Sequence, residues 1–289
     1  MAHRPAKTEP GETDPLETGL GRRRRRISDT ETEERMLATA VEMINETGLT
    51  VSLEHLRFED VIRAAGVARS AVYRRWPYKD LFFADLLREL ARGTDAAAIG
   101  ELESKRGMAQ AAAEHADLVE TPEGRERLGA ELIRGARDFE TLQHSSAWRT
   151  YLALHATFLS LEEGRLRDEV RETLSEAEAG FVRRISDSYR ELTGLLGYRI
   201  RPGSGVSFEQ LAAMASAALR GTALMMPTIP MIEEARVQGA PFGGEVAEWT
   251  LPALTAGAVI LQFFEPDPDV VWDEDRIERV KRELTAFGS

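Results

Sequence analysis

Apolar positions recur at helical spacing along most of the chain, and turn signals cut that pattern into segments. Met36, Leu37, Ala40, Val41 and Ile44 form one stripe, which predicts a helix over residues 31–47. Thr30 and Glu33 have the spacing of a capping box at its start, and Gly48 is a C-terminal stop. Leu49, Val51, Leu53 and Leu56 then predict a buried connection. A short helix over 58–65 buries Val61 and Ile62 and ends at Gly66; the next covers 68–76 and stops before Pro77. A fourth begins near residues 78–79, with Leu81, Phe82, Leu86 and Leu90 at helical spacing.

Beyond residue 95 the period stays helical. Trp148, Tyr151, Leu152, His155, Phe158 and Leu159 share one face. Val170, Leu174, Ala177, Phe181, Ile185, Leu192 and Leu196 make a near-heptad stripe. The stretches 197–205, 239–244 and 265–269 read as loops, separating helices over 207–226, 247–264 and 273–287. No strand alternation stands out, so the expected fold class is all-α. The longest uncharged apolar run, 250–264, is shorter than the roughly 20 residues a membrane-spanning helix needs. It reads as a buried helix, and no membrane partner is expected.

Charge divides the chain differently. The formal net charge is −12, but residues 1–90 hold 15 basic against 16 acidic residues, so the excess acid lies downstream. Residues 1–27 are poor in apolar side chains and end in a run of arginines, Arg22, Arg23, Arg24, Arg25 and Arg26. They read as a disordered arm, either solvated or laid along phosphates or a minor groove. With no cysteine the chain has neither disulfides nor thiolate metal sites, and a cytoplasmic location is the simplest expectation.

The densest basic and aromatic cluster is AGVARSAVYRRWPYKD, residues 65–80. Two short helices meeting at Gly66 and Val67 are a helix-turn-helix signal. Val72 and Trp76 share a face and should pin the second helix to the first helix and to Leu81. Arg69, Ser70, Tyr73 and Arg74 then face outward, where such a helix can enter a major groove.

IRAAGVARSAVYRRWPYKDLF resembles the DNA-binding signature of the tetracycline-repressor (TetR) family of transcriptional regulators. Ala65, Gly66, Val67, Ala68, Arg69, Tyr73, Trp76 and Lys79 carry the likeness, which covers about residues 32–90. Ala68 and Arg57 depart from it, standing where the family commonly places a capping Ser or Thr. The resemblance implies phosphate contacts from Tyr73 and Lys79. It implies base-edge or phosphate contacts from Arg69, Ser70, Ala71 and Arg74, with Arg75 either a further phosphate contact or merely solvated. It also implies a division into an arm (1–27), a three-helix DNA-binding domain (28–92) and a larger helical domain (93–289) for effector binding and dimerisation. The partners expected are a double-stranded operator, a small-molecule effector and a second copy of the chain, with no cofactor.

Trp148, Tyr151, His155 and Phe158, with Phe181, Tyr189, Met225 and Met226, either line the effector pocket or are plain core. The apolar stretches 207–226 and 248–264 either form the dimer interface or are buried within one subunit. Catalysis finds no support: HExxH, GxSxG, P-loop and dinucleotide signatures are lacking, and His144 and His155 have no third metal ligand at useful spacing. The alternative to an effector-responsive regulator is a DNA-binding architectural protein with no small-molecule effector.

Overall fold

The computed structural model describes residues 28–47, 56–92, 97–136 and 145–287. The Arg22–Arg26 run, Gly48, Leu49, Val51, Leu53 and His144 lie outside them. The described chain is predominantly helical. It opens with α1 (Asp29–Thr47), α2 (Phe58–Ala65), α3 (Arg69–Arg75) and α4 (Lys79–Arg92). The cap of α1 is Ser28, not Thr30: the Glu31 N–H donates to Ser28 Oγ at 3.0 Å, which starts the helix earlier than the 30/33 spacing suggests.

These four helices enclose a core of Met36, Ala40, Ile44, Val61, Ile62, Val72, Trp76, Phe82, Leu86 and Leu90. That core does not stop at the end of α4. It continues into α7 (Ser146–Ser160) through Ala153 and Leu154, and into α8 (Arg165–Leu195) through Val170 and Leu174. Phe158 packs against the same cluster.

A second core gathers α5 (Ala97–Glu114), α6 (Pro122–Gly135), the far end of α8 and the last helix, α12 (Glu274–Ala286). Ala112, Val119, Leu128, Leu196, Val280 and Leu284 fill it. Asp273 caps α12 by accepting from the Arg276 N–H at 2.8 Å. Three further helices are α9 (Phe208–Met225), the short α10 (Pro230–Glu234) and α11 (Leu251–Ile260). A capping box formed by Ser207 and Gln210 starts α9, which packs against both α8 and α11.

The predominantly helical chain agrees with the all-α expectation, with one addition. Two short antiparallel ribbons are present: β1 (Tyr198–Ile200) pairs with β4 (Phe264–Pro266), and β2 (Arg236–Gly239) with β3 (Ala247–Thr250). Both segments expected as plain loops near 197–205 and 265–269 contribute to the first ribbon. Its three-residue strands are far apart in sequence, so no local hairpin signal announces them. The second ribbon takes residues 247–250 from the helix expected over 247–264. Buried Trp249 donates its indole N–H to the Gly239 carbonyl at 3.2 Å, and Thr250 caps the shortened α11. Among the described residues no helix is long and apolar enough to cross a membrane.

Candidate nucleic-acid interface and apolar cavity

The turn between α2 and α3 depends on Gly66. Its φ of 64° and ψ of 29° lie in the left-handed region, and its N–H donates to the Arg63 carbonyl at 3.3 Å. From this turn α3 leaves with Val72 and, just past its end, Trp76 fully buried. Trp76 meets Phe82 edge-on at 5.1 Å between ring centroids and donates its indole N–H to Asp85 at 2.8 Å. Leu81 is not the expected anchor: the register of α4 turns Phe82 and Leu86 inward and leaves Leu81 half exposed.

With that face fixed, Arg69, Ser70, Tyr73, Arg74 and Lys79 are exposed and Ala71 is half-buried. Most of the exposed cations face acids of this same chain. Arg69 pairs with Glu59 at 2.5 Å, and Arg74 pairs with Asp29. The Tyr73 hydroxyl donates to the other oxygen of Glu59 at 2.8 Å, while its ring meets Phe58 edge-on at 5.8 Å. The hydrogen bond to Glu59 raises the phenol above its ordinary pKa, with slight burial and the Glu59 charge acting the same way. Lys79, the first residue of α4, forms no ion pair or hydrogen bond with any described residue.

Arg75 has a different place. Its guanidinium donates to both Glu33 oxygens at 2.8 and 2.9 Å and to Asp85 at 3.1 Å, and lies 5.2 Å from the centre of the Trp76 ring. It ties α1, α3 and α4 together, so it is not merely a solvated surface arginine.

Downstream, the long helix α8 forms one wall of a partly open cavity of about 560 Å³, lined also by α6, α9, α11 and the β1–β4 ribbon. Pockets of this size suit a small organic molecule. Trp148, Phe181 and Tyr189 line it. Tyr151, His155, Phe158 and Met225 do not. Phe158 belongs to the first core, Met225 is half exposed, and Met226 is buried.

Tyr151 and His155 instead join a polar cluster beside the cavity. The Tyr151 hydroxyl donates to Glu178 at 2.7 Å, and Arg220 Nη1 reaches both Tyr151 at 2.5 Å and Glu178 at 2.7 Å. His155 Nε2 lies 3.6 Å from Glu178. Burial alone would push the Glu178 carboxyl up, but the neighbouring His155, Arg220 and Tyr151 groups outweigh it and hold the pKa at about 2. Burial is also the main reason the Tyr151 phenol stands well above its ordinary value.

Further wall residues escaped the reading from sequence, among them Arg125, Tyr198, Leu219 and Phe242. Gly257 makes room for Phe242: a Cβ at that glycine would stand 2.3 Å from the phenyl ring. Phe181, Ile185, Leu192 and Leu196 were legible as a heptad stripe, but periodicity cannot separate a cavity wall from a filled core. Among the described residues no group of three His, Asp or Glu side chains could hold a metal ion. Comparison with protein-family models, curated proteins and solved structures gives no match.

Proposed function

We propose that the chain is a ligand-responsive, DNA-binding transcriptional regulator of the TetR type. As a homodimer it places one α3 helix per subunit in successive major grooves of a near-palindromic operator. A small, largely hydrophobic effector in the cavity releases it.

The observation that carries this reading is the α2–Gly66–α3 arrangement. Val72 and Trp76 hold α3 by one face, which leaves Arg69, Ser70, Tyr73 and Arg74 on the other, with Lys79 beside them at the head of α4. A protein with this much acid elsewhere repels a polyanion everywhere except at such a patch. The cavity supports the responsive half of the reading, since dimerisation alone calls for no such space. Homodimerisation draws support from α9 and α11, which pack together yet leave Met214, Leu224 and Met225 substantially exposed.

Selection of bound sequences from a random duplex library tests the reading. A single near-palindromic site is expected. Lys79→Ala should weaken all duplexes almost uniformly and lower the salt slope by about 1. Arg74→Ala should change the preferred bases. A Tyr73→Ala, Arg74→Ala, Lys79→Ala triple variant that binds duplex as tightly as the parent chain removes α3 as the reader.

A further inference from the structure

We propose that the cavity takes an amphipathic organic monoanion, an apolar molecule ending in a carboxylate, with its headgroup on Arg125 and the Tyr198 hydroxyl. The proposal rests on the reading of this cavity as the effector site and names the chemical class of the effector.

The argument begins with a cation that lacks an acid. Arg125, on α6, lines the cavity half-buried, and among the described residues no carboxylate forms an ion pair with it. Its guanidinium is held in place rather than free to swing. It lies 4.1 Å from the centre of the Trp272 ring, and Nη1 donates to the Val119 carbonyl at 2.8 Å. The other two nitrogens have no hydrogen-bond partner among the described residues, and neither is sealed off from approach. Arg276 lies over the same indole at 4.9 Å and adds a second positive charge to this end of the cavity. Burial pushes the Arg125 pKa down; Arg276 adds to this, while Tyr198 and Glu123 oppose it.

Tyr198 supplies a second donor. It lines the same cavity from β1, and its hydroxyl bonds to no described residue. Burial pushes the phenol up to about 12; Glu126 adds to the shift and Arg125 opposes it. A planar guanidinium with open nitrogens and a phenol donor, lining one cavity, match the two oxygens of a carboxylate. Glu123 and Glu126 are the acids nearby; both are exposed, and neither forms an ion pair with Arg125. Their field favours a single negative charge over a dianion such as a phosphate monoester. Phe181, Leu192, Leu219 and Leu261 line the same cavity, apolar surface that suits a hydrocarbon tail.

Calorimetric titration of the full chain with undecanoate and with the uncharged 2-undecanone tests the proposal. Undecanoate should bind more tightly. Arg125→Gln should weaken undecanoate by about tenfold while leaving 2-undecanone unchanged, an effect in the range of a hydrogen-bonded charge. Tyr198→Phe, which keeps the ring and its packing, should give a smaller loss for undecanoate alone. The ketone thus reports whether each variant still forms the cavity. Equal binding of the two probes, tighter binding of the ketone, no binding of either, or a parallel loss of both in Arg125→Gln and Tyr198→Phe overturns the proposal. Undecanoate that binds as expected but leaves operator affinity unchanged upholds the anion site and refutes the effector role proposed for the cavity. Duplex binding by the α3 variants is a separate measurement that neither outcome alters.

Discussion

Glu59 holds two of the side chains that α3 would offer to DNA. One carboxylate oxygen pairs with Arg69 and the other accepts from Tyr73, so both groups are occupied while no duplex is present. The Arg69 side chain is 71% exposed, which keeps such a pair within the small range of surface ion pairs. A phosphate can therefore displace it, but the displaced acid stays next to the DNA and repels it. Replacing Glu59 with Gln should strengthen duplex binding by roughly threefold at low salt, the difference shrinking as salt screens it. Fluorescence anisotropy across a salt series checks this, and weaker binding by the variant would mean that Glu59 positions Arg69 and Tyr73 rather than restraining them. Lys79, with no such partner, is the cation expected to meet a phosphate without first breaking a contact.

At the scale of elements, what the sequence makes legible is what local chemistry dictates. Gly66, Val72, Trp76 and the α1 stripe each announce their roles through spacing or backbone freedom, and α2, α3 and α4 fall within a residue or so of their expected limits. The misses share a different cause. The β1–β4 ribbon is made by residues that only tertiary packing brings together, and β3 is concealed because Ala247–Thr250 runs directly into the apolar α11. Tyr151 and His155 share the helix face of Trp148, yet the ion pair of Arg220 with Glu178 draws them into a polar cluster, which no periodicity could foretell. Arg125 was invisible as a cavity residue because its meaning depends on Trp272 and Tyr198, both distant in sequence.

Ala68 already has the extended backbone of an N-cap, φ −74° and ψ 128°, but no side chain to accept the exposed N–H groups of α3. Ala68→Ser should add a cap without moving the backbone and stabilise the fold by about 1 kcal/mol. Denaturant unfolding measures the gain; an unchanged midpoint would show that α3 is held wholly by Val72 and Trp76.

For the whole molecule, the decisive feature is the reach of α8. Its first turns pack Val170 and Leu174 into the core that carries α3, while its later turns, from Phe181 to Leu192, form the cavity wall. At 1.5 Å per residue a helix of 31 residues spans about 46 Å, enough to serve both regions as one rigid element. A chain of polar contacts joins its start to the reader. Glu169 accepts from Arg88 at 2.5 Å, Arg88 also donates to Asp85 at 2.7 Å, and Asp85 holds both Arg75 and the Trp76 indole. Under the proposed function, a ligand that shifts α8 at the cavity would move α4 and α3 through this junction, and the operator would act back on the ligand with equal coupling. Arg88→Ala cuts the junction without touching the cavity wall or the exposed face of α3. It should leave operator affinity and undecanoate affinity each within about twofold of the parent, and reduce their mutual effect by roughly fivefold, about 1 kcal/mol of coupling. Measuring operator affinity with and without saturating undecanoate, in parent and variant, isolates that term. Equal release in both would place the coupling in the packed contacts of Val170 and Leu174 instead, where Leu174→Ala is the corresponding test.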